Sequence, residues 1–261
     1  MLAKNGGQMM SKIGRIAAAT VVLGGLVTVA DSAQATLLYD QNVTPDVIFG
    51  SGNDNGSFTV DRENGIELGL RGKLRYPTPE NTFNSNGDGT YSFDTGGPDA
   101  AHPEWSYEWS INTNFDGSGG TFTGLTFFLS LDYDPGLGVD SHGFDLINAG
   151  VFDHDFGTNA TGNGGGMHTS DPGTYAGYLS SKNVAQNSWN YAFFPLAAFD
   201  SMQDGRYTIS LSAFRSEDLL ASTSIDIIVG KGASKVPEPA SLGLVGVGLL
   251  GIGFARRRKA A

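Results

Sequence analysis

Polar and apolar residues alternate along several segments of this 261-residue chain, a pattern typical of half-buried β-strands. In the clearest case, aromatic or aliphatic residues occupy every second position. The apolar positions are Trp105, Tyr107, Trp109 and Ile111, and the polar positions are Glu104, Ser106, Glu108 and Ser110. Because successive side chains of a strand point to opposite faces, this segment is predicted to have an aromatic face against the core and a polar face in solvent.

The same alternation predicts four more long strands and several short ones. The long strands are predicted at residues 66–75, 125–133, 207–213 and 219–229, and the short ones at 36–40, 47–49, 57–61, 90–94, 144–148 and 189–194. Residues 150–188 show no sustained period, apart from a short helix predicted near 175–181. About ten strands joined by Gly-, Asn- and Asp-rich turns predict an all-β fold, an antiparallel β-sandwich of jelly-roll-like type.

The N-terminal residues 1–35 have the three parts of a secretory signal peptide. Basic residues come first, an apolar run covers residues 16–30, and small residues follow at Ala33 and Ala35. We predict cleavage by signal peptidase after Ala35. An uncleaved membrane anchor is the alternative, but the apolar run is shorter than the roughly 20 residues that a span requires. The folded body is therefore expected at residues 36–235.

A second targeting pattern occupies residues 236–261. It opens with Pro-Glu-Pro and closes with a run of arginines, and these residues are Pro237, Glu238, Pro239, Arg256, Arg257 and Arg258. The apolar stretch 242–255 between them is a predicted short hydrophobic helix. At 1.5 Å per residue it would be about 21 Å long, which is less than the roughly 30 Å hydrocarbon core of a bilayer. We therefore expect transient anchoring in the membrane.

These three C-terminal parts, in this order and paired with a signal peptide, resemble the PEP-CTERM sorting signal. The resemblance implies export across the inner membrane of a Gram-negative type of cell and recognition by an exosortase. It also implies cleavage near Pro237, Glu238 and Pro239, followed by release to the cell surface or to the extracellular polymeric matrix of a biofilm. The body resembles exported proteins that carry the same tail, and that resemblance implies no activity.

The net charge restricts the classes of partner. The whole chain carries −11, and residues 36–235 alone hold 9 basic and 25 acidic residues, a net charge of −16. An acidic body argues against nucleic acid as a partner, because neutralisation of phosphates supplies most of that affinity. The chain has no cysteine, which excludes disulfides, thiolate zinc sites and a cysteine nucleophile.

Acidic residues concentrate in predicted loops and strand ends, where oxygen ligands could converge on a hard cation. The candidate calcium ligands are Asp132, Asp134, Asp140, Asp145, Asp153 and Asp155. The hypothesis is a structural Ca²⁺ site that stiffens a loop. The alternative is that these aspartates solubilise the loops and accept backbone hydrogen bonds in Asx turns.

The three tryptophans allow two interpretations. Trp105, Trp109 and Trp189 could stack on sugar rings, but on a strand such a stripe is more often part of the core. Glu104 and Glu108 beside them suggest a glycosidase, yet four strand positions separate them by roughly 13 Å, whereas catalytic carboxylates are at most about 9.5 Å apart. This pair is therefore not expected to be catalytic.

Two further loop features have simple expected roles. His154 lies between Asp153 and Asp155, so we expect it to titrate near the usual range or a little above. The glycine-rich run at residues 162–166 lacks the lysine and the following helix of a phosphate loop, and is expected to provide flexibility.

Together these features predict a secreted, non-enzymatic protein with a structural or adhesive role in extracellular polymeric substance. A carbohydrate-binding module, with calcium as an optional stabiliser, is the alternative. A glycoside-active enzyme is a third and more distant hypothesis. The expected partners are signal peptidase and exosortase during export, and extracellular polysaccharide afterwards.

Overall fold

The structure is a computed structural model that describes residues 36–193 and 197–232. The described chain forms twelve strands and one α-helix. They are β1 (Leu38–Gln41), β2 (Phe58–Glu63), β3 (Ile66–Leu74), β4 (Thr90–Phe93), β5 (Trp105–Asn112), β6 (Thr126–Asp132), β7 (Ser141–Asp145), β8 (His154–Gly157), β9 (Met167–Thr169), α1 (Pro172–Leu179), β10 (Val184–Trp189), β11 (Gly205–Arg215) and β12 (Asp218–Val229). A 3₁₀ turn at Tyr191–Phe193 follows β10.

The strands form two sheets, which confirms the prediction of an all-β sandwich. One sheet has seven strands in the order β1-β2-β3-β5-β10-β8-β9, and the other has five in the order β4-β12-β11-β6-β7. The pairing is antiparallel except between β4 and β12, which run parallel. The antiparallel sandwich thus includes one parallel pair, which alternation within a strand does not reveal because a parallel neighbour requires a long crossover.

Alternating apolar residues of both sheets form the main core. Trp105, Tyr107 and Trp109 on β5 are fully buried and face residues such as Ile209 and Ile225 of the other sheet. The aromatic rings contact one another edge to face, as between Trp109 and Trp189, whose centroids lie 5.3 Å apart. The aromatic face predicted for β5 is therefore the inner face of the sandwich.

The opposite face of β5 is also buried, and the predicted solvent exposure of that face is wrong. Ser106, Glu108 and Ser110 are at most 1% exposed. Residues 42–57, which we call the cover segment, lie over this outer face. Its apolar side chains form a second, smaller core with β2, made up of Val43, Val47, Phe49, Phe58 and Val60.

The structure differs from the predicted strands in two regions. The cover segment lacks a strand that was predicted, and residues 150–188 contain strands that were not predicted. Residues 47–49 form no strand. The carbonyls of Val47 and Ile48 instead accept hydrogen bonds from the amides of Gly164 and Gly166, which also lie outside the strands. The region without sustained period contains β8, β9, α1 and β10. The predicted helix is confirmed in type but begins at Pro172, where Asp171 caps it by accepting hydrogen bonds from the Gly173 and Thr174 amides.

Among residues 36–193 and 197–232, no helix is long and apolar enough to span a bilayer. The predicted signal peptide with Ala33 and Ala35, and the predicted hydrophobic helix at 242–255, lie outside the described residues.

Candidate functional site

The aspartates proposed as calcium ligands are separated by the fold. Asp132 ends β6, and its Oδ1 accepts hydrogen bonds from the backbone amides of Asp134 at 3.0 Å and Asp140 at 2.7 Å. Asp145 Oδ1 accepts from the amides of Ile147 and Asn148 after β7. These carboxylates therefore organise turns, which is the alternative interpretation given above.

The other two candidate ligands lie on a different part of the molecule. Asp153 and Asp155 flank His154, and both approach the ring of His168, at 3.5 Å and 3.4 Å. Within the described part of the chain, no group of three or more His, Asp or Glu side chains is arranged to hold a metal ion. The structure therefore does not bring the six aspartates together into a calcium site.

The tryptophans are inaccessible to a ligand. Trp105 and Trp109 are fully buried and Trp189 is 1% exposed. Their rings pack between the two sheets, so no ring face is open to a sugar. Glycan stacking on Trp105, Trp109 and Trp189 is therefore corrected to a core role, because all three point to the inner face of the seven-stranded sheet.

His154 also belongs to the core, and its expected titration was wrong. Its Nε2–H donates to the Leu146 carbonyl at 3.1 Å, and the ring packs against Trp109, Tyr175 and Trp189. Burial lowers the pKa of His154 to about 3, so the ring is neutral at physiological pH. The neighbouring aspartates point to the other face of β8, because residues alternate along a strand.

The glycine-rich run at residues 162–166 packs against the cover segment. The Gly164 amide donates to the Val47 carbonyl at 3.0 Å, and the Gly166 amide donates to the Ile48 carbonyl at 2.8 Å. A Cβ at Gly166 would lie 2.7 Å from the Ile48 carbonyl oxygen. These glycines therefore permit a close backbone approach, which is a different role from the expected flexibility.

Side chains of the sheet fix the cover segment from below. Gln186 on β10 accepts from the Ile48 amide at 2.8 Å and donates to the Asp46 carbonyl at 2.8 Å. Glu67 on β3 accepts from the Thr44 amide at 2.6 Å and from Arg62 Nε at 2.6 Å. Burial raises the pKa of Glu67, and the bonds from Thr44 and Arg62 oppose that shift.

A buried ionic cluster lies at the centre of this outer face. Arg71 Nε on β3 donates to Glu108 Oε2 on β5 at 2.6 Å, and both side chains are fully buried. Arg71 Nη1 also donates to the carbonyls of Asp54 and Gly56 in the cover segment. Its guanidinium lies between the rings of Phe58 and Phe83, with centroid distances of 4.2 and 3.8 Å.

Lys73 extends the cluster toward the surface. Its Nζ donates to Asn53 Oδ1 of the cover segment and lies 3.4 Å from Glu108 Oε1. Glu108 Oε1 is buried and accepts no hydrogen bond among the described residues. One carboxylate oxygen is therefore fixed by Arg71, and the other has only a long ionic contact.

A cavity of about 130 Å³ opens beside Glu108. Its walls combine charged, hydroxyl and apolar groups from the sheet and the cover segment: Phe49, Asn53, Lys73, Leu74, Arg75, Pro79, Ser106, Glu108 and Ser188. We take this cavity, with its two basic residues, as the candidate functional site.

Arg75 stands at the side of the cavity and is half-buried. Its guanidinium carbon lies 4.9 Å from the centroid of Phe193, which is 43% exposed, and 5.9 Å from that of Tyr76. No carboxylate among the described residues forms an ion pair with Arg75. Phe193 and Tyr76 are therefore accessible aromatic rings with a cationic neighbour beside this cavity, whereas the sequence pattern pointed to the tryptophans.

A second cleft of about 450 Å³ begins at the next residue along the chain. Tyr76, Pro77, Gly97, Pro98 and Glu104 line it. Glu104 accepts a hydrogen bond from the Asp94 amide at 2.7 Å, and burial raises its pKa. Arg75 lines the first cavity, and Tyr76, the next residue along the chain, lines the second.

Sequence reasoning missed Arg71, Lys73 and Arg75 as site residues because they were assigned to the exposed side of a strand. The available signal was their spacing, since cations at every second position of the strand predicted at residues 66–75 would share one face of it. The sequence identified that face of the strand, but it did not show that the cover segment buries it.

The sorting residues Pro237, Glu238, Pro239, Arg256, Arg257 and Arg258 lie outside the described residues. The PEP-CTERM protein-sorting motif matches residues 235–259, which confirms the resemblance found at the C-terminus. The motif implies an exported protein that is targeted to exosortase and destined for the cell surface. No curated protein and no solved structure matches the chain.

Proposed function

We propose that this chain is an exosortase-processed protein with a structural or adhesive role in the extracellular polymeric matrix. The observation that carries the proposal is the sorting motif at residues 235–259 attached to an all-β sandwich body. Such a body has a large, well-packed core, which suits a protein that must persist outside the cell. The signal peptide, the inner-membrane intermediate and the Gram-negative origin are parts of the same proposal.

We further propose that the body is not an enzyme. The most conspicuous carboxylate, Glu108, is engaged by Arg71 on β3 and by Lys73 beside it. Glu104 lies at the start of β5 and supports the Asp94 backbone. A glycosidase needs two carboxylates on either side of one bond, and these two serve separate structural contacts.

Deletion of residues 236–261 tests the sorting part of the proposal. The truncated protein should fail to reach the cell surface and should accumulate in another fraction, measured by cell fractionation with immunoblotting. Arg256→Ala, Arg257→Ala and Arg258→Ala together should have the same effect, whereas Arg215→Ala in the body should not. Undiminished surface display of the truncated protein would contradict exosortase-dependent sorting.

The matrix role needs its own measurement. Cells lacking the protein should release more matrix polysaccharide on mild washing than cells that produce it. Equal retention of polysaccharide, with the protein correctly displayed, would reject the structural or adhesive role while leaving the sorting route intact.

A carbohydrate-binding module remains the second candidate. The observation that favours it is the cavity lined by Lys73, Arg75 and Glu108, which replaces the tryptophans as the place for a sugar. Proteins bind sugars through hydroxyl and charged partners combined with apolar contact, and this cavity offers all three.

A further inference from the structure

The cations of β3 are concentrated in an otherwise acidic body. Arg71 and Lys73 lie on one face of β3 and bond to the cover segment, and Arg75 directly follows the strand and lines the same cavity as Lys73. They are three of only nine basic residues in a segment that carries 25 acidic ones. A local excess of positive charge in a body of net charge −16 indicates a site for a negatively charged group.

The three cations differ in how much of their binding capacity is used within the protein. Arg71 is fully buried and donates to Glu108 and to two carbonyls. Lys73 has three N–H donors, of which Asn53 accepts one, and its Nζ makes only an ionic contact with Glu108 Oε1 at 3.4 Å. Arg75 is half-buried and has no ion-pair partner among the described residues. The cavity therefore retains donors on Lys73 and Arg75.

The cavity also contains an acceptor that needs a donor. Glu108 lines the cavity, and its Oε1 is buried, lies 3.4 Å from Lys73 Nζ and accepts no hydrogen bond among the described residues. A buried acceptor without a hydrogen-bond donor is unfavourable, so a ligand hydroxyl that donates to it would be bound more tightly. A sulfate has no hydrogen to donate and would be repelled by this carboxylate. The ligand that fits has an anionic group and hydroxyl groups together.

We propose that the cavity beside Glu108 binds a uronate residue, a sugar with a ring carboxylate, of an anionic polysaccharide. The carboxylate of the sugar binds Arg75 and Lys73, and a neighbouring hydroxyl donates to Glu108 Oε1. The apolar side chains of Phe49 and Pro79 contact the C–H face of the ring. This inference rests on the proposed matrix role, because that role supplies the polysaccharide.

The dimensions of the two openings favour a polymer as the source of the sugar. The cavity of about 130 Å³ is smaller than the roughly 300–1,000 Å³ of sites for drug-sized ligands, so it holds one sugar unit at most. The cleft of about 450 Å³ lined by Tyr76 and two prolines has room for a further unit. In this proposal the next sugar of the polymer lies in that cleft.

Isothermal titration calorimetry on the protein purified from the cells that export it tests the inference. The probes are D-glucuronate, D-galacturonate and polygalacturonate, with D-glucose and sulfate as comparisons. We expect a uronate to bind, and Arg75→Ala to weaken it about tenfold, the equivalent of one charged hydrogen bond. The matched control is Arg215→Ala, which removes the same charge from an exposed position on the other sheet. Equal affinity for glucose, or an equal loss in both variants, would overturn the inference.

The polymer and the free sugar are separated by their relative affinities. Tighter binding of polygalacturonate per site than of free galacturonate supports the polysaccharide, and equal or weaker binding of the polymer overturns that part of the inference. If Arg75→Ala fails to fold by circular dichroism, Ser188→Leu narrows the cavity from β10 and should give the same loss. If uronate does not bind, although the protein is displayed and its removal releases matrix polysaccharide, this inference alone is overturned. If uronate binds, but cells with and without the protein retain polysaccharide equally, the matrix role is overturned.

Discussion

Arg71 and Glu108 face each other on neighbouring strands of the seven-stranded sheet, with 2.6 Å between Arg71 Nε and Glu108 Oε2 and neither side chain exposed. The pair lies outside the main core, under the cover segment. Arg71 also donates to two carbonyls of that segment, so the pair connects the sheet to its cover. This connection makes the outer face of the sheet an interior.

We expect Glu108→Leu to destabilise the fold by about 3–5 kcal/mol, because it leaves a buried charge without its partner. Arg71→Met should cost less, since Lys73 still faces Glu108. The double variant should lose less stability than the two single variants together. Urea unfolding measures the free energy of unfolding of each variant. Arg206→Met, which removes an exposed partner of Asp226, is the control and should cost at most about 1 kcal/mol. If the losses of the two single variants simply add in the double variant, Arg71 and Glu108 are not energetically coupled.

Two glycines of one loop should respond differently to the same change. Gly166→Ala places a Cβ 2.7 Å from the Ile48 carbonyl oxygen, whereas a Cβ at Gly162 meets no atom within 4 Å. We expect Gly166→Ala to lower the free energy of unfolding by about 1–3 kcal/mol and Gly162→Ala to leave it nearly unchanged. Thermal denaturation of the two variants provides the measurement. Equal melting temperatures would show that the cover segment does not pack closely on this loop.

The buried imidazole of His154 should make the fold sensitive to mild acid. Its pKa is about 3 in the folded chain and about 6.5 when unfolded, so the unfolded state binds the proton first. Stability is therefore complete above pH 6.5 and is lost as the pH falls toward 3, by about 2 kcal/mol at pH 5. His154→Phe should remove this part of the pH dependence between pH 7.5 and 5, measured by urea unfolding.

Burial raises the pKa of Glu67, and this makes the fold more stable as the pH falls, opposite to the effect of His154. The contribution of His154 is therefore measured by comparing variants with the unaltered protein. Its folded form takes up a proton before the unfolded form does, which favours folding as the pH falls. His142→Gln, at an exposed position, is the matched control and should keep the pH dependence of the unaltered protein. If His154→Phe keeps it as well, the imidazole is not the acid-sensitive group.

Asp132 provides a test of the calcium hypothesis. Asp132→Ala removes the acceptor of three backbone amides, those of Asp134, Asp140 and Thr208, and we expect a loss of about 1–3 kcal/mol that is the same in CaCl₂ and in EDTA. Asp153→Ala, at a half-exposed carboxylate, should cost less. Thermal melts in both buffers provide the measurement. If EDTA lowers the melting temperature of the unaltered protein but not that of Asp132→Ala, the hypothesis of a calcium site at this turn is supported after all.

The alternating pattern predicted the strands well and the surroundings of the strands poorly. For β5 it separated Trp109 from Glu108 correctly, because the two faces of a strand follow from geometry alone. It could not show that Glu108 is buried, since the cover segment reaches that face from far away in the chain. Polar composition indicated solvent there, whereas the fold uses the polar groups to hold backbone atoms of the cover.

The candidate site was harder to predict for the same reason. The sequence predicts that Lys73 and Arg75 share a face of the strand at residues 66–75, but the cavity depends on Asn53 and Ser188, which lie on other segments. Contacts of such long sequence separation leave no local pattern. The sorting motif was predictable in full because its parts are consecutive and need no tertiary contact to be recognised.

The position of β12 determines how the body responds to mechanical load. This strand of 12 residues is the last element described, and it lies inside its sheet between β4 and β11. A tether leaving its C-terminal end would pull along the strand axis. The hydrogen bonds to both neighbours would then be loaded together in shear, whereas an edge strand pulled sideways would lose its bonds one at a time. A body built this way is suited to resist tension from its C-terminal side.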